Sequence, residues 1–143
     1  MNLETVYSLC SAIAFAGWIA LAVAPLARTR LIGAARVASA VLCAAYLIQM
    51  FTITVPTGGD FSTLRGVALL FSEPGNVMLG WTHYLAFDLF VGSWIAEDAA
   101  REDFPHWAVI PILFATLMVG PIGLLIWFGV RALHRARLGK ALA

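Results

Sequence analysis

The amino-acid sequence predicts an all-α integral membrane protein with four transmembrane helices and a short interfacial or re-entrant helix between helices two and three. Apolar residues make up 62% of the 143-residue chain and charged residues 12%, compared with about 25% charged residues in soluble domains. Four apolar runs reach the roughly 20 residues that cross a hydrocarbon core of ~30 Å. A fifth run is shorter. The whole chain, 1–143, is therefore predicted to form a single membrane domain.

The first two spans, approximately residues 4–26 and 32–54, are separated by a short turn. Arg28 and Arg30 interrupt the apolar sequence there, so the two helices are expected to be antiparallel neighbours. The first span carries only one early charge, which is atypical of a signal peptide, and we expect it to be a helix of the mature protein. Small residues at positions 33–40 favour close helix packing and are compatible with a homodimer.

An apolar segment of intermediate length follows the second span. Phe61 to Phe71 contains Arg65 as its one charged residue and is too short to cross a bilayer. Segments of this kind lie in the membrane interface or re-enter the membrane. We therefore expect a short helix that roofs a cavity between the spans.

The last two spans are predicted at approximately residues 76–98 and 107–131. Proline and glycine precede the third span, and Asn76 is expected to be its N-cap. The fourth span carries Gly120 and Pro121 near its middle. Because proline removes a backbone hydrogen bond, a kink is expected at that point.

The membrane orientation depends on the distribution of basic residues. Four spans would put both termini on the same side, and the arginine and lysine count is then four on one side and five on the other. The clustered basic tail gives a slight preference for cytoplasmic termini. That tail comprises Arg131, His134, Arg135, Arg137 and Lys140.

Composition and motifs exclude several classes of function. A net charge of +1 without a large basic patch gives no support for nucleic-acid binding. The three histidines, at positions 83, 106 and 134, do not form the paired motifs of metal enzymes, so neither a metal nor another cofactor is predicted. Cys10 and Cys43 lie inside apolar segments, where thiols usually behave as small buried hydrophobes.

His83 and Asp88 are the main candidates for a functional site, because both lie inside the third span. An ionisable group in hydrocarbon costs at least about 2.5 to 3.5 kcal/mol on insertion scales and usually has a partner or a task. An isolated carboxyl group there is expected to hold its proton at neutral pH and to be a proton donor. The two residues are about 140° apart around the helix axis and cannot pair directly, so a ligand or another helix would have to bridge them.

Other side chains complete the predicted site. Tyr84 is one turn from Asp88, and Gln49 is a polar group of the second span. Each candidate also has a structural alternative: a hydrogen bond to a neighbouring helix for Asp88, contact with headgroups for His83, and interfacial anchoring for Trp81. The predicted substrate-binding residues are Trp81, Tyr84, Phe87, Gln49, Gly120 and Pro121, and Asp98 and His106 are predicted at the cavity mouth.

The segment from Gly80 to Gly92, followed by Asp98 and by residues 120–125, resembles the abscisic-acid-deficient-four-like family of small membrane proteins. The resemblance covers most of the chain, from the first to the fourth helix. Plant members are implicated in neoxanthin formation from violaxanthin. The resemblance implies a membrane enzyme of carotenoid or related isoprenoid metabolism whose polyene substrate enters laterally from the bilayer. The short chain, without a transit-peptide-like leader, suggests a bacterial member in the inner membrane.

The chemistry that this resemblance implies is acid–base isomerisation without a cofactor. Opening an epoxide to an allene needs an acid at the epoxide oxygen and a base for a proton on the chain, and we expect Asp88 to be the acid and His83 the base. The same pair would also move a polyene double bond. The alternative is a non-catalytic subunit that binds pigment or a partner protein, with the polar groups fixing helix packing. The two alternatives differ in whether Asp88 and His83 face one cavity.

Overall fold

The computed structural model of the chain describes residues 2–141, with side chains up to residue 139, and all regular secondary structure in that range is helical. As predicted, the fold is all-α and has a short helix between the second and third long helices. A 3-10 turn at Ala24–Leu26 connects the first two. The helices are α1 (Leu3–Ala22), α2 (Arg28–Thr52), α3 (Leu64–Leu70), α4 (Pro74–Arg101) and α5 (His106–Ala141).

The start of α4 differs from the prediction. Pro74 is the first helical residue and Glu73 stands at the N-cap position, as suits a proline whose missing N–H would be unsatisfied in a first turn. Asn76 lies inside the helix, so its prediction as N-cap is wrong. Its side chain accepts a hydrogen bond from Val55 N and donates to Val55 O and Leu70 O. Asn76 therefore ties the connection that contains α3 to the start of α4.

Helix α4 is at the centre of the bundle and packs against α1, α2 and α5. Gly92 leaves room for the indole of Trp18, because a Cβ at position 92 would lie 2.6 Å from that ring. Across from α1, the Ser39 hydroxyl of α2 donates to the carbonyl oxygen of Ala86 at 2.8 Å. Small residues and single polar bonds thus hold the long helices close together, as is usual for packing within membranes.

Helix α5 doubles back on itself. Val119 has non-helical angles (φ −149°, ψ 67°), which confirms the kink predicted next to Gly120. Before the break, His106 at the start of α5 contacts the Ala22 carbonyl oxygen at 3.1 Å. After the break, Trp127 donates to Asp98 at 3.0 Å. The two halves therefore run in opposite directions, and both ends of α5 lie beside the C-terminal end of α4.

Three helices are long and apolar enough to cross a membrane: α1, α2 and residues 106–139 of α5. Helix α4, with 28 residues, is not one of them, although it is the most enclosed helix. In α5 the segment before the break, 106–118, is only about 20 Å long. The predicted fourth span, 107–131, has both of its ends at the same end of the bundle.

This end is called the arginine end here. It consists of the α1–α2 turn, the α4–α5 connection and the last turns of α5, and Arg65 of α3 lies at the opposite end. The tail of α5 is thus on the same side as the α1–α2 turn, whereas four complete crossings would separate them. The side chain of Lys140 lies outside the described residues. The arginine end carries Arg28, Arg30, Arg36, Arg101, Arg131, Arg135 and Arg137.

Candidate functional site

Asp88 lies in the middle of α4 and faces the break of α5. A Cβ at Gly120 would lie 2.8 Å from the Asp88 Cγ, so only glycine leaves room for the Asp88 carboxyl group against the backbone at position 120. Asp88 Oδ2 is buried and has no hydrogen-bond partner among residues 2–139. Buried polar atoms are rarely left unpaired, so this oxygen is available to a ligand or to its own proton.

Tyr84 connects Asp88 to the break. Its phenol donates a 2.7 Å hydrogen bond to the carbonyl oxygen of Leu117 and lies within reach of the Asp88 carboxyl group, one turn along α4. The regular partner of the Leu117 carbonyl would be the N–H of residue 121, which is proline. The phenol replaces that missing donor. Because its proton is engaged by Leu117, the phenol oxygen remains free to accept a hydrogen bond from the Asp88 carboxyl group when that group holds a proton.

His83 lies on a different side of α4. Its ring stacks on Phe87 at 4.6 Å between centroids and packs against Tyr46 of α2 at 5.8 Å. Both His83 and Phe87 are exposed on the surface of the bundle. His83 and Asp88 therefore face different helix interfaces.

Gln49 is also separate from Asp88. It is 2% exposed, accepts a 2.9 Å hydrogen bond from the Thr82 hydroxyl and donates to the Cys10 sulfur at 3.5 Å. These bonds join α1, α2 and α4 in the interior. The surroundings of Gln49 thus consist of helix-packing contacts rather than of a cavity wall.

Two neighbouring cavities lead to Tyr84. The first, about 540 Å³, is lined by Tyr7 and Trp81 among others, with Leu3, Glu4, Ser72, Pro74, Val77 and Met78 completing its wall. The second, about 380 Å³, shares Val77 and Trp81 with the first and includes Phe71, Gly80 and Tyr84. Trp81 is 37% exposed and packs against Tyr84 in a tilted arrangement, with the ring centroids 5.4 Å apart. The walls are mainly apolar, and Phe71 at the end of α3 covers one side.

A third apolar space continues on the other side of the Tyr84–Leu117 bond. It has a volume of about 190 Å³ and lies between α1 and the first half of α5. Leu117 belongs to its wall, so the Tyr84–Leu117 hydrogen bond joins a residue of this wall to a residue of the second cavity's wall. The other lining residues are Phe15, Trp18, Ile19, Ala22, Ile110, Leu113 and Phe114.

Asp98 and His106, predicted at the cavity mouth, lie at the arginine end. Asp98 is 8% exposed; it accepts from the Trp127 indole and pairs with the Arg131 Nε at 3.2 Å. Asp98 lies about 15 Å along α4 from Asp88. The pair fastens the second half of α5 to α4, and the His106 contact with Ala22 fastens the first half to α1.

Glu102 extends this attachment. It accepts a 2.9 Å hydrogen bond from Arg135 Nε, and its backbone carbonyl oxygen contacts His134 Nε2 at 3.0 Å. The hydrogen bonds from Arg135, with the charges of Arg135 and Arg131, hold the pKa of the Glu102 carboxyl group below its ordinary value. The second half of α5 is therefore docked by a series of ionic contacts.

The described residues contain no group of three or more histidine, cysteine, aspartate or glutamate side chains that would hold a metal ion. The polar groups near Asp88 are a phenol, a backbone carbonyl group and the nearby imidazole of His83. Carboxyl, phenol and imidazole groups are residue types that enzymes use for proton transfer, whereas the carbonyl group only accepts hydrogen bonds.

The sequence profile of the family described as ABA DEFICIENT 4-like matches residues 5–127. The chain belongs to this family. The match extends from α1 to the second half of α5 and therefore includes the Asp88 region and the break. Neither the curated proteins nor the solved structures compared with the chain gave a match. Membership of the ABA DEFICIENT 4-like family and the long apolar helices make this a carotenoid-related membrane protein.

Several residues around the site were not indicated by the sequence. The Leu117 carbonyl group became relevant only because Tyr84 reaches it, although the proline four residues later was a signal that this carbonyl would need another donor. Thr82 is fully buried beside Gln49. Its position on the face of α4 opposite the cavities has no signature in the sequence.

Proposed function

We propose that this family member is a membrane-embedded isomerase of a carotenoid or related isoprenoid, and that Asp88 and Tyr84 transfer the proton. One observation carries the proposal: a carboxyl group with an unpaired buried oxygen stands next to a phenol that lines an apolar cavity. Ionisable residues within membranes usually mark substrate or proton pathways. The family relationship to carotenoids supports the substrate class.

The proposed reaction is an isomerisation, so atoms and electrons balance without a co-reactant. With an epoxide substrate, Asp88 gives its proton to the epoxide oxygen and the carbon–oxygen bond breaks. The Asp88 carboxylate formed in this step then removes a proton from the neighbouring chain carbon, which restores its own proton, and the electron pair of the broken carbon–hydrogen bond forms the new double bond of an allene. With a substrate that lacks an epoxide, protonation at one carbon and deprotonation at another moves a double bond.

Roles follow for the remaining candidates. Tyr84 holds Asp88 in place and provides the path by which the proton returns. Trp81 and the neighbouring apolar wall bind the polyene, and Gly120 with Pro121 maintains the break that leaves room for the carboxyl group. His83, predicted as the base, lies outside the cavity walls and packs against Tyr46 and Phe87, so its effect on conversion would be indirect.

The arrangement of helices supports a definite topology for this enzyme. We propose three complete crossings, by α1, α2 and α4, with α5 as a re-entrant hairpin. Seven of the eight arginines then lie on one side, and the positive-inside rule makes that side cytoplasmic. The C-terminus would be cytoplasmic and the N-terminus on the opposite side, because three crossings separate the two.

The alternative function, a subunit that binds pigment without converting it, is favoured by a different observation. His83 and Asp88 face separate helix interfaces, and the Gln49 contacts are those of helix packing. In this case the cavities hold an isoprenoid and the polar residues stabilise the bundle. Both functions predict a bound isoprenoid, and they differ in whether that molecule is changed.

The test is to express the protein with a carotenoid supply that includes epoxycarotenoids, purify it in mild detergent and identify bound pigments by absorbance and mass spectrometry. We expect a bound isoprenoid product in the unchanged protein and unconverted substrate in Asp88→Asn. His83→Ala should retain conversion at a reduced rate. Asp103→Asn is the matched control, because it makes the same chemical change in an exposed loop residue with positive φ that asparagine tolerates.

The outcomes separate the two functions. Product formation by Asp88→Asn at the full rate would exclude Asp88 as the acid. A pigment that is bound equally by all variants and converted by none would support the binding subunit. A protein free of isoprenoid in every variant would contradict both functions.

A further inference from the structure

We propose that a cavity at the arginine end, between α2 and α4, binds the phosphate group of an anionic membrane phospholipid. The cavity has a volume of about 460 Å³ and is lined by Arg28, Arg36, Arg101 and Glu97. It lies at the other end of α4 from the cavities near Trp81 and shares no lining residue with them. The inference is therefore independent of the proposed isomerase activity.

The charges in this cavity do not balance. Glu97 pairs with Arg36 at 2.6 Å and with Arg101 at 3.1 Å. Three guanidinium groups and one carboxylate give a net charge of +2 by subtraction. The Arg36 Nε is buried and has no hydrogen-bond partner within the described side chains. Since each guanidinium group has five N–H donors, donors remain for an added anion, and arginine suits phosphate oxygens geometrically.

The first turn of α2 adds backbone donors at the same place. Arg28 is the first helical residue, and Ala27 at the N-cap position provides no side-chain hydrogen bond. The N–H groups of a first turn lack helical partners and favour negative charge. Thr29 also lines the cavity. The phosphate would thus meet arginine side chains and a helix N-terminus together.

The rest of the wall indicates a lipid rather than a soluble anion. Ile32, Gly33 and Ala100 line the cavity on helices that continue into the apolar bundle. A Cβ at Gly33 would meet no atom within 4 Å, so this side is open. A phospholipid would place its phosphate among the arginines and its acyl chains along α2 and α4. An anionic headgroup suits the net charge better than a zwitterionic one, since a headgroup cation would be repelled.

The experiment compares short-chain phosphatidylglycerol with phosphatidylcholine of the same chain length, bound to the full-length protein in detergent and counted by native mass spectrometry. Inorganic phosphate is the third probe. The test variants are Arg28→Gln and Arg101→Gln. The matched controls are Arg30→Gln and Arg137→Gln, which remove the same charge at the same end but outside the cavity wall. Gly33→Leu fills the open side without changing the charge.

We expect phosphatidylglycerol to bind more tightly than phosphatidylcholine. Each test variant should lower the affinity for phosphatidylglycerol by about fivefold, as expected for the loss of one basic residue near an anionic headgroup. The control variants should leave this affinity unchanged. Gly33→Leu should prevent binding while the thermal midpoint stays the same. Equal losses in all four arginine variants would indicate diffuse attraction and overturn the site. Equal affinity for both lipids would also overturn it, as would inorganic phosphate binding as tightly as phosphatidylglycerol.

Discussion

Replacing Tyr84 by phenylalanine tests whether the break in α5 is held by a single hydrogen bond. The substitution keeps the ring that lines the cavity and removes only the hydroxyl group that donates to Leu117 at 2.7 Å. The Leu117 carbonyl group then loses its donor, and Pro121 cannot supply another. An unsatisfied buried polar group costs about 1 to 3 kcal/mol, whereas hydrogen bonds between membrane helices average about 0.6 kcal/mol with a maximum near 1.7.

Because no helical donor can replace the phenol, we expect the free energy of unfolding to fall by about 1 to 2 kcal/mol, near the maximum measured for hydrogen bonds between membrane helices. This lowers the ratio of folded to unfolded protein by roughly 5- to 30-fold. This change in stability is measured by equilibrium unfolding in mixed micelles that contain an increasing fraction of a denaturing detergent. Tyr7→Phe is the matched control, since Tyr7 is 44% exposed and should change stability by less than about 0.5 kcal/mol.

The same pair of variants separates stability from activity. Tyr84→Phe should also slow pigment conversion, since the return path of the Asp88 proton is removed, and it should do so more than Tyr7→Phe, which keeps the ring that lines the first cavity. If Tyr84→Phe unfolds at the same detergent fraction as Tyr7→Phe, the carbonyl group does not depend on the phenol. The explanation of the break given above would then be refuted.

Three further predictions concern α5. Gly120→Ala should destabilise the protein by about 1 to 3 kcal/mol through overpacking against Asp88, whereas Gly129→Ala, where a Cβ meets nothing within 4 Å, should be neutral in the same unfolding assay. The pKa of Glu102 is lowered in the folded protein, so its pairing with Arg135 stabilises the fold above the ordinary pKa of 4.5. This stabilisation is lost as the pH falls through the lower pKa of the folded state. Limited proteolysis of the last turns of α5 should accelerate in that pH window, and an unchanged rate would contradict the docking by ionic contacts. Reporters that are active on only one side of the membrane, fused to each terminus in turn, should give opposite results, and a common location for both termini would disprove the three-crossing topology.

The sequence predicted the helices well because their signal is local. Apolar runs of the necessary length located α1, α2 and α4 within a few residues, and the pair at Gly120 and Pro121 located the break. The motif around Asp88 also led to the correct family. Each of these features lies within one continuous stretch of the chain, where composition and spacing are sufficient evidence.

The direction of α5 after its break could not be predicted, because a run of apolar residues has the same composition whether it continues or returns. Trp127 and Asp98 are 29 residues apart, and only their contact reveals the return. The nearly equal count of basic residues on the two sides had the same cause, because it assumed that the fourth apolar run crosses the membrane completely. The partners of Gln49 and His83 likewise depend on how α2 and α4 are rotated about their own axes. The weakly amphipathic sequences of these two helices do not determine that rotation.

In the proposed three-crossing topology, the return of α5 leaves the two leaflets of the membrane unequally filled. Near the arginine end, two extra half-helices flank the bundle, whereas near the N-terminus the three long helices are accompanied only by the short α3. The openings beside Trp81 are in this thinner half. A molecule dissolved in the bilayer would thus reach Tyr84 from one leaflet and depart into the same leaflet. Supply would then depend on the lipid composition of that monolayer and on the rate at which pigments flip across the membrane.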